Sequence, residues 1–215
     1  MNDERQPHSH SAGPANGDTG ARPKKRISAP RKSQEIFDAT LGLLQEGGYE
    51  GLTVEGVAER AGVNKTTLYR WWPSKGALLG AALVNGTQLD FPLPDTGSLQ
   101  GDLEAVLGSV VTLLTTEPAS KTAIAALGAI TQSPELATHA RRFFADRLDR
   151  EQPILSRAVA RGELASGTDP ALLTHLMDLL AGAAWLRLVF RQLPLDADFV
   201  TRTVDTVLHG AVARP

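Results

Sequence analysis

Lys65, Thr66, Tyr69 and Arg70 are the residues of this chain whose types and spacing point most directly to chemistry. Lys65 and Tyr69 are four apart, as are Thr66 and Arg70, so on a helix they project on one side. That side offers an ammonium, a hydroxyl, a phenol and a guanidinium and no large aliphatic group. Such groups hydrogen-bond phosphate oxygens and the edges of bases in a major groove. Leu68 and Trp72, also four apart, fall on the opposite side and would pack inward with Val57, Ala58 and Val63. Lys75 opens a following helix, where backbone N–H groups and a cationic side chain together suit a phosphate.

Holding that face in place takes a short run of helices. Thr53 is a good N-cap for a helix over Val54 to Ala61, and Gly62 ends it. Asn64 caps a second helix over Lys65 to Trp72, which gives the pair helix-turn-helix arithmetic. Pro73 stops the second helix, having no amide hydrogen and disfavouring helix in the residue before it. Ser74 then caps a helix from Lys75 to about Gln88. Ahead of the pair, a helix over Arg31 to Glu46 carries Ile36, Thr40 and Leu43 on one stripe and Phe37, Leu41 and Leu44 beside it, with Gly47-Gly48 as its stop.

The Pro-rich stretch Phe91 to Ser98 marks a boundary between modules. Beyond it the apolar spacing predicts helices at about Leu99–Thr116, Ala119–Ile130, Pro134–Arg161, Pro170–Leu193 and Ala197–Val212. Ser98, Ser133 and Asp169 are their caps, and Pro153 should kink or split the third near Gln152. The expected architecture is all-α: residues 1–30 as a disordered tail, 31–91 as a three-helix helix-turn-helix domain, and 92–215 as a helical bundle. The tail is rich in Pro, Gly, Ser, Asn and His and has too little apolar surface to offset its ordering entropy.

Composition narrows the function classes. At 215 residues the chain is long enough to bury a core, and it has no cysteine, which removes disulfides, thiolate nucleophiles and sulfur-ligated metals. The net charge of −2 hides an asymmetry: residues 21–80 hold 10 basic against 6 acidic residues, and residues 81–215 hold 11 against 15. A basic module ahead of an acidic body suggests an anionic partner for the first part only. The apolar stretch Ala171 to Phe190 is interrupted by His175, Asp178 and Arg187, so it reads as a buried helix and not a membrane span. The N-terminus has no apolar signal region, and the expected location is the cytoplasm.

The block Thr53-Val54 … Val57-Ala58 … Ala61-Gly62-Val63-Asn64-Lys65-Thr66-Thr67-Leu68-Tyr69-Arg70-Trp71-Trp72-Pro73-Ser74-Lys75 … Leu78-Leu79 resembles the DNA-binding domain of the TetR family of transcriptional regulators. The resemblance covers about Arg31 to Leu89. It implies a phosphate contact at Thr53, groove-facing residues at Lys65, Thr66 and Thr67, and backbone contacts at Tyr69, Trp71 and Lys75. Arg70 joins them from the helix face alone. Three departures stand out: Trp71-Trp72 where His-Phe is usual, Gly56 inside the first helix of the pair, and Gly76 in place of a common acidic residue. Arg22, Lys24, Lys25, Arg26, Arg31 and Lys32 are placed as a basic arm for an adjacent minor groove, or as a solvated run. His8 and His10 in the tail are read as incidental.

More weakly, Arg157-Ala158-Val159-Ala160-Arg161-Gly162-Glu163-Leu164, then Asp169-Pro170, resembles a TetR-type regulatory domain. The resemblance implies a bundle that dimerises through its last two helices and encloses a ligand cavity. Two residue patterns agree. Leu179 to Phe190 is apolar almost all round, and Val200, Val204, Val207 and Ala211 share a stripe. Phe143, Phe144, His175, Met177, Trp185 and Leu188 are the candidate cavity residues, although the same spacing describes ordinary core. His175 and Asp178 would orient a polar ligand or form a local pair, and Arg141-Arg142 would bind an acidic effector or simply be exposed.

The function expected is a non-enzymatic, homodimeric repressor on a palindromic operator in double-stranded DNA, released by a small molecule. No cofactor or metal is expected, since there is no Gly-rich phosphate loop and no metal-spaced His/Asp/Glu set. A helical protein-binding adaptor and a nonspecific DNA binder without ligand response are the alternatives.

Overall fold

The computed structural model describes residues 32–86 and 91–210, and every regular element among them is helical. The basic arm up to Arg31, His8 and His10, and the last predicted residues Gln88, Ala211 and Val212 lie outside the described residues.

Side-chain caps set the register of the first module. Helix α1 spans Ser33–Gly51 and buries Ile36, Phe37, Thr40, Leu41 and Leu44. The stop expected at Gly47-Gly48 is present inside that span: Gly48 has φ 63° and ψ −168°, which breaks the helix there. Helix α2, Val54–Ala61, starts where the Thr53 hydroxyl accepts from the Gly56 amide at 3.1 Å. It ends on Gly62 at φ 60°, and the Val63 amide returns to the Ala58 carbonyl at 2.9 Å. Helix α3, Lys65–Trp71, is capped by Asn64, whose side chain accepts from the Thr66 amide at 2.9 Å. Trp72 is extended rather than helical, as the following Pro73 requires. Helix α4, Lys75–Asn85, is capped by Ser74 and closes before extended Gly86, short of the expected Gln88.

The remaining helices are α5 (Leu99–Thr115), α6 (Ala119–Gln132), α7 (Pro134–Glu151), α8 (Pro153–Ala160), α9 (Ala171–Trp185) and α10 (Phe199–His209). Ser98 and Ser133 cap α5 and α7, and Asp169 accepts from the Ala171 amide at 2.9 Å. The split between α7 and α8 falls at Gln152, as Pro153 predicts. The helix predicted through Leu193 instead opens into a π turn at Leu186–Phe190, closed by an Arg191 amide to Leu186 carbonyl bond of 2.9 Å. Arg187 Nε then donates to the Pro194 carbonyl at 3.0 Å, which secures the turn's exit.

The described residues form one unit with two apolar clusters. The first joins α1 to α4 and also draws in Ala126, Ala129 and Leu136 from α6 and α7. The second joins α5, α8, α9 and α10 around Leu103, Ile154, Leu173, Leu180 and Val204. Gln45 on α1 also donates to the buried Thr122 hydroxyl on α6 at 2.6 Å. Arg157, the α8 arginine of the sequence motif, clamps the segment ahead of α5. Arg157 bonds the Pro94 carbonyl and lies 3.4 Å from Asp95 and 3.5 Å from the fully buried Asp102. The other oxygen of Asp102 accepts from the Thr96 amide and hydroxyl at 2.7 and 2.9 Å.

Candidate nucleic-acid interface

Helix α3 sorts its residues by face. Leu68 is fully buried, and Trp72 packs edge-to-face on Phe37 with ring centroids 5.7 Å apart. Lys65, Thr66, Tyr69 and Arg70 are exposed, and Tyr69 keeps 45% of its surface, high for an aromatic residue. Thr67 and Trp71 are half-buried at the edges, and the Arg70 guanidinium lies 5.9 Å from the Trp71 ring centroid. The surface presented is cationic, hydroxylic and aromatic, with Leu68 beneath it.

The flanks are tied to this helix by named contacts. The exposed Thr53 hydroxyl is engaged in its cap, with its side chain still at the surface. Lys65 lies 4.0 Å from Glu55, an exposed and therefore weak pairing. Lys32 reaches the carbonyls of Ala61 and Gly62 at 3.4 Å, so the last basic residue of the arm rests on the turn between α2 and α3. Lys75 is less free than its position suggested. Its ammonium donates to the Tyr49 carbonyl at 2.9 Å and lies 4.2 Å from the Tyr49 ring centroid.

Two of the three sequence departures acquire a physical reason. A Cβ at Gly56 would stand 3.0 Å from the Thr53 hydroxyl and 3.3 Å from Leu43, so glycine lets α1 and the cap close on α2. The space beside Gly76 is filled by the Glu135 carboxyl from α7, which accepts from the Ser74 hydroxyl at 2.6 Å. The acidic group is therefore present, carried by a different helix. Arg60 of α2 forks onto Glu46 of α1 at 2.9 and 2.7 Å. That hydrogen bond holds the Glu46 carboxyl below its usual range and raises the Arg60 guanidinium.

Behind the first module, α4 to α7, α9 and the π turn line a partly open cavity of about 480 Å³. Of the residues expected there, Phe143, Phe144, Met177 and Trp185 line it. His175 and Leu188 do not. The α9 lining runs Asp178, Ala181, Gly182, Trp185, and His175 lies one turn before it, exposed to solvent. Leu188 falls in the π turn, where the extra residue per turn rotates the stripe. Phe190 takes the lining position, and Leu188 packs into the second apolar cluster. Arg141 and Arg142 are exposed on α7.

Spacing alone missed Phe91, His139, Arg147 and Glu151 in the cavity wall. The available signal was the four-residue step from Arg147 to Glu151, a helical ion-pair spacing. That pair closes at 2.7 Å, and the Arg147 guanidinium lies 4.6 Å from the Phe91 ring centroid. Burial pushes the Glu151 carboxyl up, opposed by the charges of Arg147 and Arg150.

A short capped helix with an exposed polar face, held across another by a glycine turn, defines a helix-turn-helix DNA-binding protein. A family model described as "Bacterial regulatory proteins, tetR family" matches residues 36–82, and one described as "Tetracyclin repressor-like, C-terminal domain" matches residues 93–207. An uncharacterized HTH-type transcriptional regulator of Mycobacterium tuberculosis is 37% identical over 187 residues, 86% of this chain and 90% of its own. A DNA-binding transcriptional repressor TetR of Mycobacteroides abscessus is 31% identical over 187 residues, 82% of this chain and 92% of its own. The crystal structure of the TetR family transcription regulator SCO0332 superposes with a TM-score of 0.67 at 34% identity, over 83% of this chain and 97% of that one. The chain belongs to the TetR family of helix-turn-helix transcriptional regulators, a family of DNA-binding proteins and not of enzymes.

Proposed function

We propose that the protein is a homodimeric repressor that reads a palindromic operator through α3 and is released by a small-molecule effector held in the cavity. The observation that carries the reading is the exposed face of α3, with Lys65, Thr66, Tyr69 and Arg70 outward over a buried Leu68. Lys65, Thr66 and Thr67 read base edges, Arg70 contacts the groove, and Thr53, Tyr69, Trp71 and Lys75 hold phosphates. A single seven-residue helix spans few base pairs, so a two-fold dimer with two half-sites supplies the discrimination.

The dimer forms through α9 and α10. Leu179 on α9 and Leu186 in the π turn stay 44% and 54% exposed, and a groove between α9 and α10 is lined by Leu179, Ala183, Phe199 and Val207 together with Arg187, Arg202, Thr203 and Thr206. Two exposed leucines beside a groove of mixed apolar and polar lining suit docking of a second copy. The cavity lies within the roughly 300–1,000 Å³ common for small-molecule sites and is walled mainly by apolar side chains. An effector that fits it better in a DNA-incompetent arrangement shifts the population off the operator. The domain organisation proposed is DNA reading by residues 31–91 and effector binding and dimerisation by 92–215, acting in the cytoplasm where the chromosome lies.

Selection of binding sites from random double-stranded DNA with the purified full chain tests the reading. A two-fold symmetric motif is the expected result. Enrichment of no sequence, with binding that vanishes as salt rises, makes it a nonspecific binder. Absence of any DNA binding leaves only a protein-binding adaptor.

A further inference from the structure

The wall charges of the cavity narrow the chemistry of what it holds. Arg147 is the one arginine or lysine in the lining, and it is doubly engaged. It pairs with Glu151 at 2.7 Å and lies over the Phe91 ring at 4.6 Å. As a unit the pair is neutral, which leaves His139 and Asp178 as the other ionisable groups of the lining. Asp178 is different: it lines the cavity from α9 and has no hydrogen-bond or ion-pair partner among the described residues. The cavity wall therefore presents one carboxylate that no described side chain pairs.

The rings around it fit the same sign. Phe143 and Phe144 of α7 stack edge-to-face at 5.3 Å, and Trp185 and Phe190 join the lining from α9 and the π turn. Aromatic faces carry negative quadrupole charge and attract cations, most strongly where water is partly excluded. Phe144 and Phe190 line the cavity and are 55% and 66% exposed, so their rings are reachable from solvent. An anion would meet those faces and Asp178 together.

We propose that the cavity selects a lipophilic cation, a bulky organic ion of single positive charge whose apolar body fills the aromatic walls and whose charge faces Asp178. This rests on the effector reading of the cavity given above.

Tetraphenylphosphonium and tetraphenylborate test it, because they match in size and shape and differ in sign. Calorimetric titration of the purified full chain with each ion should show the phosphonium bound at least about tenfold more tightly. Asp178→Asn should weaken phosphonium binding about threefold or more while narrowing the gap to the borate, at unchanged melting temperature since Asp178 is exposed. Phe144→Leu, which keeps apolar bulk and removes a ring face, should weaken the phosphonium more than the borate. Equal binding of the two ions, tighter binding of the borate, binding of neither, or an Asp178→Asn protein with an unaltered preference would each overturn the proposal. Operator binding measured without ligand separates the two readings. Failure of both ions with the operator still bound removes the ligand class alone, whereas phosphonium binding with no operator removes the DNA reading alone.

Discussion

Lys75 serves two ends with one ammonium. One of its three donors is spent on the Tyr49 carbonyl, which ties the start of α4 to the end of α1, and the others remain for a phosphate. Lys75→Ala should weaken binding to every DNA sequence and flatten the log affinity against log salt slope by about one unit, measured by anisotropy across a salt series. Lys65→Ala and Thr66→Ala should instead shift preference at particular base pairs, read by repeating the site selection. A Lys75→Ala protein with altered base preference and intact affinity contradicts the assignment. Thr53→Ala removes the acceptor for the Gly56 amide and should cost about 1 kcal/mol in chemical denaturation, besides weakening DNA binding. Thr53, Asn64 and Ser74 were legible as caps because a cap bonds an amide two or three residues on. The Tyr49 partner of Lys75 was not, because it is 26 residues away and is a backbone carbonyl, which no side-chain pattern announces.

At the scale of elements, the crossing of α4 on α7 joins the DNA-reading module to the body. A Cβ at Gly80 would fall 2.8 Å from the Cβ of His139, an atom too near the backbone to swing aside. Gly80→Ala should therefore destabilise by about 1–3 kcal/mol in urea unfolding, despite alanine's better helix propensity. Removing the ring in a Gly80→Ala/His139→Ala double variant should recover part of that loss, a non-additivity expected of touching groups. The α1–α2 pair gives a pH test. Because Arg60 lowers the Glu46 carboxyl, the pair's contribution is present above the unfolded value near 4.5 and fades as pH falls through the lower folded value. Glu46→Gln should thus lower the melting temperature at neutral pH, and the difference should shrink below about pH 4.5. Helix positions were largely readable from apolar spacing with Gly, Pro and caps as punctuation, down to the break at Pro153. The π turn was not, since Leu186 to Phe190 is as apolar as a helix and nothing local marks the extra residue. That turn is also why apolar spacing puts Leu188 in the cavity and omits Phe190.

Across the whole molecule, α9 packs Leu173, Leu176, Leu180 and Ala184 inward and leaves Leu179, with Leu186 of the π turn, to solvent. By length and composition the stretch Ala171–Phe190 would pass for a membrane span, and only 22% of it is buried within the chain. The sequence showed that this helix was apolar on more than one face, but a second apolar face has no partner within one chain to reveal it. A second copy docking across α9 and α10 covers that face and sets two α3 helices on successive half-sites. Leu179→Glu tests this arrangement, because a residue 44% exposed in the single chain can be charged without disturbing its own core. Wild type should sediment at twice the 22.9 kDa chain mass, and the variant at the single-chain mass with unchanged helical circular dichroism. Operator affinity of the variant should fall by at least about a factor of ten, since each half-site then binds alone and loses the linkage that raises avidity. A Leu179→Glu protein that remains dimeric and holds its operator as tightly as wild type would place the two-fold contact on some face other than α9.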